Sequence, residues 1–396
     1  MIDLYLLSVI LFFSMLAILI YRDRKNIDIK YILFMRRTKR FKNILDRIAN
    51  KSILFWKVIG TIAFFVCLFF MIYGTYTMIN VAYLVYTGVI TQPALSIALP
   101  IPSEQMVVGP GFIGIPFWFW IIVIATILIP HEAFHGIIAR AEKIKLKDVG
   151  LLLLAIFPGA FVEPDEKQVK KSKLITKLRI FSAGSFINIV IGLLVIFLVQ
   201  NLLWSPNVNG ILITSVNQTS PAGELGLKSG MILESIDNKE MTMGFSDYSF
   251  LMLTVAKSNT EDITKFMSQL ILIERLGVYK PEDTVTLKVS GMNYELKLGE
   301  HPEIENFPYI GITSEVNTKN VSLFLVLFPL LGMIASLNIL VGIFNILPLY
   351  PLDGGLIVKA LAERYSKKRS NQITLAITFI LLFIIIYSFV GGFLKF

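Results

Sequence analysis

The sequence predicts a polytopic α-helical membrane protein with about six transmembrane helices and one extracytoplasmic α+β domain. Three observations support this fold class. Of the 396 residues, 55% are hydrophobic and only 16% are charged, which is typical of membrane proteins. Six apolar stretches are long enough to cross a bilayer as helices. Between the fourth and the fifth, residues 205–320 show alternating strand patterns and turn residues instead.

Charged residues are distributed in blocks that indicate membrane sidedness. Residues 21–57 contain 12 Lys and Arg against 3 acidic residues, residues 139–179 contain 10 against 5, and residues 356–372 contain 5 against 1. Residues 204–320 have the opposite balance, 9 against 15. Such blocks between apolar spans favour a multi-pass protein of the cell membrane over a nucleic-acid-binding protein, despite the net charge of +9.

The N-terminal membrane region, residues 1–112, is predicted to contain two transmembrane helices, at residues 4–21 and 53–77. No basic residue precedes the first span, so we expect an uncleaved helix with its N-terminus outside. Within the basic cytoplasmic segment that follows, residues 27–50 are either an amphipathic stretch along the inner leaflet or a solvated loop. The proline-containing residues 78–112 predict an excursion on the outer face.

The third span, residues 113–139, contains the pentapeptide HEAFH at positions 131–135. An ionisable residue in hydrocarbon costs on the order of a few kcal/mol, which makes it a functional candidate. On a helix, His131 and His135 share one face, so they can bind one zinc ion with Glu132 beside it as general base. The alternatives are a chance match or two packed core histidines. Because the chain has only three histidines, we favour the metal site.

The apolar residues 151–162 are too short to span a bilayer as a helix. The Pro158-Gly159 pair interrupts them, which predicts a hairpin or a re-entrant loop with its break at that pair. The fourth span, residues 179–203, contains Gly184 and Asn188.

The region 205–320 is predicted to be a small soluble domain that binds rather than catalyses, because it lacks ionisable clusters at catalytic spacing. The expected strands are residues 210–216, 230–236, 284–289 and 294–298, and the expected helix is residues 261–276.

The fifth span, residues 321–347, leads into the sequence NILPLYPLDGG, and a sixth span is expected at residues 373–393. Two prolines prevent a regular helix in this motif, and its glycines allow close backbone approach. Asp353 is the only carboxylate between Glu315 and Glu363. On local evidence alone, Asp353 is either a functional residue or a turn or N-cap aspartate at the inner interface.

Taken together, HEAFH and NILPLYPLDGG resemble the site-2 protease family of intramembrane zinc metalloproteases, over residues 118–364. The resemblance implies that Asp353 is the third ligand, with His131 and His135, of one Zn²⁺ per chain. It implies that Glu132 acts as general base on a zinc-bound water. The implied reaction is hydrolysis of peptide bonds within or near transmembrane segments of membrane proteins. The third span is followed by Arg140 and Lys143, so it is expected to run from outside to inside, which places HEAFH in the inner half of the bilayer.

Gly184 and Asn188 are similar to the family's Gly-x-x-x-Asn element. With Asn345, they are expected to position the substrate or the oxyanion. The residue after that glycine is commonly proline in the family and is Ser185 here. A helical substrate must be unwound before hydrolysis, and we expect residues 151–162 to hold it by strand pairing, with Leu153 and Leu154 on the exposed edge.

The motifs Pro-Ala at 221–222, Gly-Leu at 226–227 and Gly230 resemble an inserted PDZ domain, which can capture a peptide or a chain end by strand addition. The resemblance gives protease core segments at residues 113–204 and 321–396 around a PDZ-like domain at 205–320.

Three other functions are alternatives for such a sequence. A membrane protease of another zinc family would need a glutamate ligand, and no suitable intramembrane glutamate follows HEAFH. An inactive scaffold or substrate-binding protein acting through the PDZ-like domain would have no use for buried ionisable residues. A transporter would show repeated halves, and the sequence contains no such repeat.

Overall fold

The computed structural model describes residues 3–154, 157–253, 260–320 and 323–391, without the side chains of residues 260–262 and 325. Within these ranges six helices are long and apolar enough to cross a membrane, which confirms a polytopic helical membrane protein. They are Leu4–Asn26, Ile53–Tyr86, Phe117–Ala141, Leu174–Asn207, Phe328–Ile346 and Ser370–Val390. The chain divides into two compact units, Met1–Leu194 with Ile334–Phe396, and Val195–Met333.

The first unit begins with five elements. They are α1 (Leu4–Asp23), β1 (Ile27–Lys30), β2 (Leu33–Arg37), α2 (Lys39–Lys51) and α3 (Ile53–Tyr86), with a 3₁₀ turn at Arg24–Asn26. The stretch 27–50 is therefore neither one amphipathic segment nor a loop. It forms a strand pair followed by an amphipathic helix that buries Leu45 and Ala49.

A small sheet precedes the HEAFH helix. Its strands are β3 (Ile97–Ile101), β4 (Val107–Gly109) and β5 (Phe112–Pro116), in the order β3-β5-β4. Helix α4 (Phe117–Ala141) follows directly and contains Pro130, which lacks the N–H needed for an intrahelical hydrogen bond.

The hairpin predicted after α4 is present, but Pro158 and Gly159 do not form its turn. Strands β6 (Leu146–Leu154) and β7 (Phe157–Pro164) pair antiparallel, and Pro158 and Gly159 lie inside β7. The predicted break at these two residues is wrong, because both pair with residues of β6. Residues 155–156 lie outside the described residues. Proline is tolerated here because β7 is an edge strand.

The expectation that Leu153 and Leu154 lie on an exposed edge is also wrong. The four-stranded sheet has the order β1-β2-β6-β7, and β2 pairs with both residues through Phe34 and Leu33. Strand β6 is therefore interior. A local sequence pattern could not show this, because the covering strand comes from a segment before α3.

Helices α5 (Glu166–Lys171) and α6 (Leu174–Val199) follow the hairpin. Helix α6 shares one hydrophobic core with α2, α4 and β6, in which its Ala183 packs with Ala49, Ile138 and Val149. This core fixes α6 beside the HEAFH helix.

The second unit is an α+β structure. Its elements are α7 (Ser205–Asn207), β8 (Val208–Val216), α8 (Pro221–Glu224), β9 (Ile232–Ile236), β10 (Lys239–Glu240), α9 (Phe245–Leu251), α10 (Thr260–Leu276), β11 (Thr284–Val289), β12 (Met292–Lys297), β13 (Gly299–Glu300), β14 (Pro308–Tyr309) and β15 (Ile312–Thr318). The main sheet has the order β12-β11-β9-β8-β15, with β10 paired to β9 and α10 packed on β15.

The chain ends with α11 (Phe328–Ile346), α12 (Asp353–Tyr365) and α13 (Ser370–Val390). Both prolines of the NILPLYPLDGG motif lie between α11 and α12, so the predicted helix interruption is present. Ile346 and Ile357 on its two sides pack in one core with Cys67 of α3 and Leu178 of α6. This packing positions the start of α12.

Candidate metal centre

The two histidines of HEAFH meet on one face of α4. His131 and His135 are one helical turn apart, and their Nε2 atoms are 3.2 Å from each other. Their side chains are only 10% and 13% exposed. The rings therefore point into the protein and toward a common point.

Asp353 reaches the same point from the first residue of α12. Its Oδ2 atom is 3.5 Å from Nε2 of His131, and its Oδ1 atom is 3.4 Å from Nε2 of His135. The approach depends on Gly354, because a Cβ atom there would lie 1.9 Å from the carbonyl oxygen of Ile346. The tight connection between α11 and α12 thus delivers the carboxylate to the histidines.

The spacing of these three side chains fits a zinc ion. Candidate ligand atoms of His131, His135 and Asp353 all lie within 4.8 Å of one another. Two atoms each about 2.0–2.1 Å from a tetrahedral zinc are about 3.3–3.4 Å apart, close to the distances found here. Room for an ion comes from Gly184 of α6, where a Cβ atom would lie 2.4 Å from Nε2 of both histidines. Three protein ligands leave a fourth position open, as in catalytic zinc sites.

Glu132 is held beside this group by the hairpin. Its Oε2 atom accepts a hydrogen bond of 2.9 Å from the backbone N–H of Val162 in β7. Helix α4 packs against β7, so the orientation of this carboxylate depends on the edge strand of the sheet.

Helix α6 contacts each of the three candidate ligands without contributing a ligand itself. The Asn188 amide is 3.2 Å from Nδ1 of His131, and the backbone carbonyl of Ile180 is 2.7 Å from Nδ1 of His135. Ser185 donates a hydrogen bond of 3.1 Å from its hydroxyl to Oδ2 of Asp353. The structure thus brings the predicted residues Gly184 and Asn188 to the metal group.

Asn345 differs from the other predicted site residues. It is the penultimate residue of α11, and no hydrogen bond joins it to His131, His135 or Asp353 in the described part of the chain. Its predicted role in positioning the substrate or the oxyanion therefore has no contact to support it.

Three contacts at the site were not predicted from the sequence: those of Ser185, the Ile180 carbonyl and the Val162 N–H. Helical spacing could have indicated Ser185, because positions 185 and 188 are three apart and therefore neighbours on one helix surface. The two backbone groups have no side-chain signature and leave no signal in a sequence.

Comparison with known proteins places these residues in a family. The model of peptidase family M50 matches residues 119–388, which include both motifs and the whole metal group. The chain belongs to peptidase family M50. M50 is the site-2 protease family, and its peptidases depend on zinc. Membership in this family classifies the chain as a membrane metallopeptidase.

A relative of this M50 chain is an uncharacterized protein of Methanocaldococcus jannaschii. The two are 27% identical over 361 residues, covering 90% of this chain and 86% of the relative. The similarity therefore extends beyond the residues matched by the family model, into the N-terminal membrane region.

Proposed function

We propose that the protein is an intramembrane zinc metalloprotease that hydrolyses peptide bonds within or near transmembrane segments of membrane proteins. The observation that carries the proposal is the position of Glu132, one residue from His131 and bonded to the edge strand β7, beside a three-ligand metal group. These residues lie at or next to candidate membrane spans.

Zinc would be held by Nε2 of His131, Nε2 of His135 and the carboxylate of Asp353, one ion per chain. When bound, it supplies Lewis acidity that makes water a nucleophile near neutral pH. The donor set of two imidazoles and a carboxylate supports zinc over calcium or magnesium, which prefer oxygen ligands alone.

Glu132 is the proton carrier in this proposal. Its carboxylate takes the proton of the attacking water and passes it to the amine that leaves from the cleaved bond. The N–H of Val162 occupies one carboxylate oxygen, Oε2, which leaves Oε1 to exchange the proton. General acid–base catalysis of this kind contributes about 10²–10⁴-fold to a rate.

The substrate is held in an extended form along the outer edge of β7. The Val162 N–H points away from β6, because it donates to Glu132. Val149 of β6 is the residue paired with Val162. Its backbone carbonyl likewise points away from β7, since it accepts a hydrogen bond from the N–H of Thr38. Side-chain and backbone directions repeat every two residues in a strand, so the N–H and C=O of Ala160 also face outward. An unwound substrate can pair with them.

An apolar cavity supports this path for the substrate. It measures about 770 Å³ and lies between α1, α4 and the hairpin, with Leu128, Pro158 and Gly159 in its walls. One turn beyond Leu128 on the same face of α4 is Glu132. A transmembrane segment entering from the lipid through this cavity would therefore reach the base and the β7 edge together.

The domain at residues 205–320 is proposed to be PDZ-like, to lie outside the cytoplasm and to bind a peptide or chain end. Its groove would run between β15 and α10. There the hydroxyl of Ser268 donates a hydrogen bond of 2.6 Å to the backbone carbonyl of Ser314, and both residues are buried. A chain adding to β15 must displace this bond, so we propose that α10 moves when the groove is filled.

The test of the protease function is the Glu132→Gln variant. It keeps all three ligands and an oxygen that can accept from Val162, so zinc content should equal that of the wild type. Cells that produce the wild type should contain membrane proteins with new termini. In cells that produce the variant, these termini should be absent or reduced by about 10²–10⁴-fold. Mass spectrometry of membrane protein fragments measures the termini in the two kinds of cells. Equal fragments from the two proteins at equal expression would disprove the proposal.

A further inference from the structure

Helix α6 contacts all three candidate ligands: both histidines at Nδ1, the ring nitrogen away from the metal position, and Asp353 at its carboxylate oxygen Oδ2. The contacts come from the Ile180 carbonyl, the Ser185 hydroxyl and the Asn188 amide, with Gly184 between them. Ile180, Gly184 and Asn188 are spaced by four residues, which puts them on one face of the helix. One element therefore meets ligands from two others, α4 and α12.

The contact to His135 sets the tautomer of that ring. A carbonyl oxygen only accepts hydrogen bonds, so Nδ1 of His135 must carry the proton that it donates to Ile180, over 2.7 Å. Nε2 of the neutral ring then has its lone pair free. This is the arrangement in which a histidine binds a metal through Nε2.

The contact to His131 decides between two orientations of the Asn188 amide. Asn188 is fully buried, its Nδ2 lies 3.2 Å from Nδ1 of His131, and its Oδ1 has no hydrogen-bond partner in the described part of the chain. With Nδ2 as donor, the proton of a neutral His131 would be on Nε2, which could not bind a metal. A half-turn of the amide places Oδ1 on Nδ1 as the acceptor, and the two ends of an amide are nearly identical in shape. That orientation leaves Nε2 free, as in His135.

The contact to Asp353 comes from the side chain of Ser185. The buried Ser185 hydroxyl donates to Oδ2, which fixes the rotation of a carboxylate that arrives from a distant helix.

We infer that Asn188 and Ser185 are positioning residues that orient His131 and Asp353 for the metal, so that α6 forms the outer shell of the site. The inference rests on the proposed function only in taking zinc as the ion. In this inference Asn188 acts through His131 and not by contact with the substrate. The family resemblance implied a different role for Asn188, the positioning of the substrate or the oxyanion. Loss of such partners typically weakens metal binding by 10–100-fold.

The test measures zinc affinity of the full-length protein in detergent, by competition with a chromogenic chelator. We expect Asn188→Leu and Ser185→Ala each to raise the zinc dissociation constant about 10–100-fold. Asn188→Asp keeps an acceptor for Nδ1, and Ser185→Thr keeps a hydroxyl, so both should remain within about threefold of the wild type. The absorption spectrum of the Co²⁺-substituted protein should change in the first pair of variants and not in the second.

Ser182→Ala is the matched control. Ser182 is a fully buried serine of the same helix, and its hydroxyl has no partner within the described residues, so its removal should leave zinc affinity unchanged. Equal zinc affinity of Ser185→Ala, Asn188→Leu and Ser182→Ala would overturn the inference, even if wild-type proteolysis were established. Conversely, the wild type could show no proteolysis while Ser185→Ala and Asn188→Leu bind zinc more weakly than Ser182→Ala. That result would support the outer shell and disprove the protease function.

Discussion

The backbone N–H of Val162 donates a 2.9 Å hydrogen bond to Oε2 of Glu132. This bond joins the candidate base to the edge strand of the sheet, although 30 residues separate the two in sequence. Because of it, the strand proposed to hold the substrate also orients the group proposed to move the proton. A change in strand β7 should therefore affect both substrate binding and the rate of the chemical step.

Asp353→Ala should greatly reduce metal content. The wild type should contain about one zinc per chain, and the variant would keep two of three ligands. His135→Ala should behave in the same way, because it also leaves two. Atomic absorption on purified proteins measures the zinc, with Glu363→Ala as a control acidic residue of the same helix α12. Full zinc occupancy and activity in Asp353→Ala would show that Asp353 is not a ligand.

Gly184→Ala should abolish zinc binding by filling the metal position. The added Cβ atom would lie 2.4 Å from Nε2 of both histidines, closer than any normal contact. Gly60→Ala is a suitable control, because a Cβ atom on that helix residue meets only side-chain atoms, the nearest at 3.1 Å. Zinc titration of both variants, with circular dichroism to confirm folding, measures the effect. A folded Gly184→Ala protein with wild-type zinc affinity contradicts the placement of the ion.

Ala160→Pro should reduce processing of membrane-embedded substrates by about tenfold or more while zinc content stays normal. Proline removes the outward N–H with which a substrate strand would pair. A loss of about 1.4 kcal/mol corresponds to a tenfold change, within the range for one backbone hydrogen bond. Ala160→Val keeps the N–H and should cleave at nearly the wild-type rate. Equal rates for the proline and valine variants would place substrate binding elsewhere.

The domain at residues 205–320 should be accessible from outside the cell. A cysteine introduced at the exposed position Lys228 should react with an impermeant thiol reagent added to intact cells, and one at the exposed position Lys167 should react only after lysis. The native Cys67 is buried and serves as the unreactive background. The reverse labelling pattern would overturn the proposed orientation and the assignment of the metal group to the inner half of the membrane.

Much of this protein could be predicted from local sequence. The six spans, the helical pairing of His131 with His135 and the interruption before Asp353 depend on hydropathy, on the period of a helix and on proline, all of which act over a few residues. The ligand set itself needed the resemblance to a known family, because local evidence on Asp353 left a capping role equally open.

Other features were decided only by the tertiary structure. Strand β2 covers Leu153 and Leu154, so the free edge is β7. Pro158 in β7 is compatible with an edge strand, but the strand that covers β6 comes from a segment before α3, which the hairpin sequence does not show. Ser185 meets Asp353 across 168 residues, and the packing of α6 against neighbouring helices alone brings them together. Sequence therefore determined which side chains can bind a metal, because that is a property of each residue. Tertiary packing decided how those side chains are oriented, because orientation depends on partners that are distant along the chain.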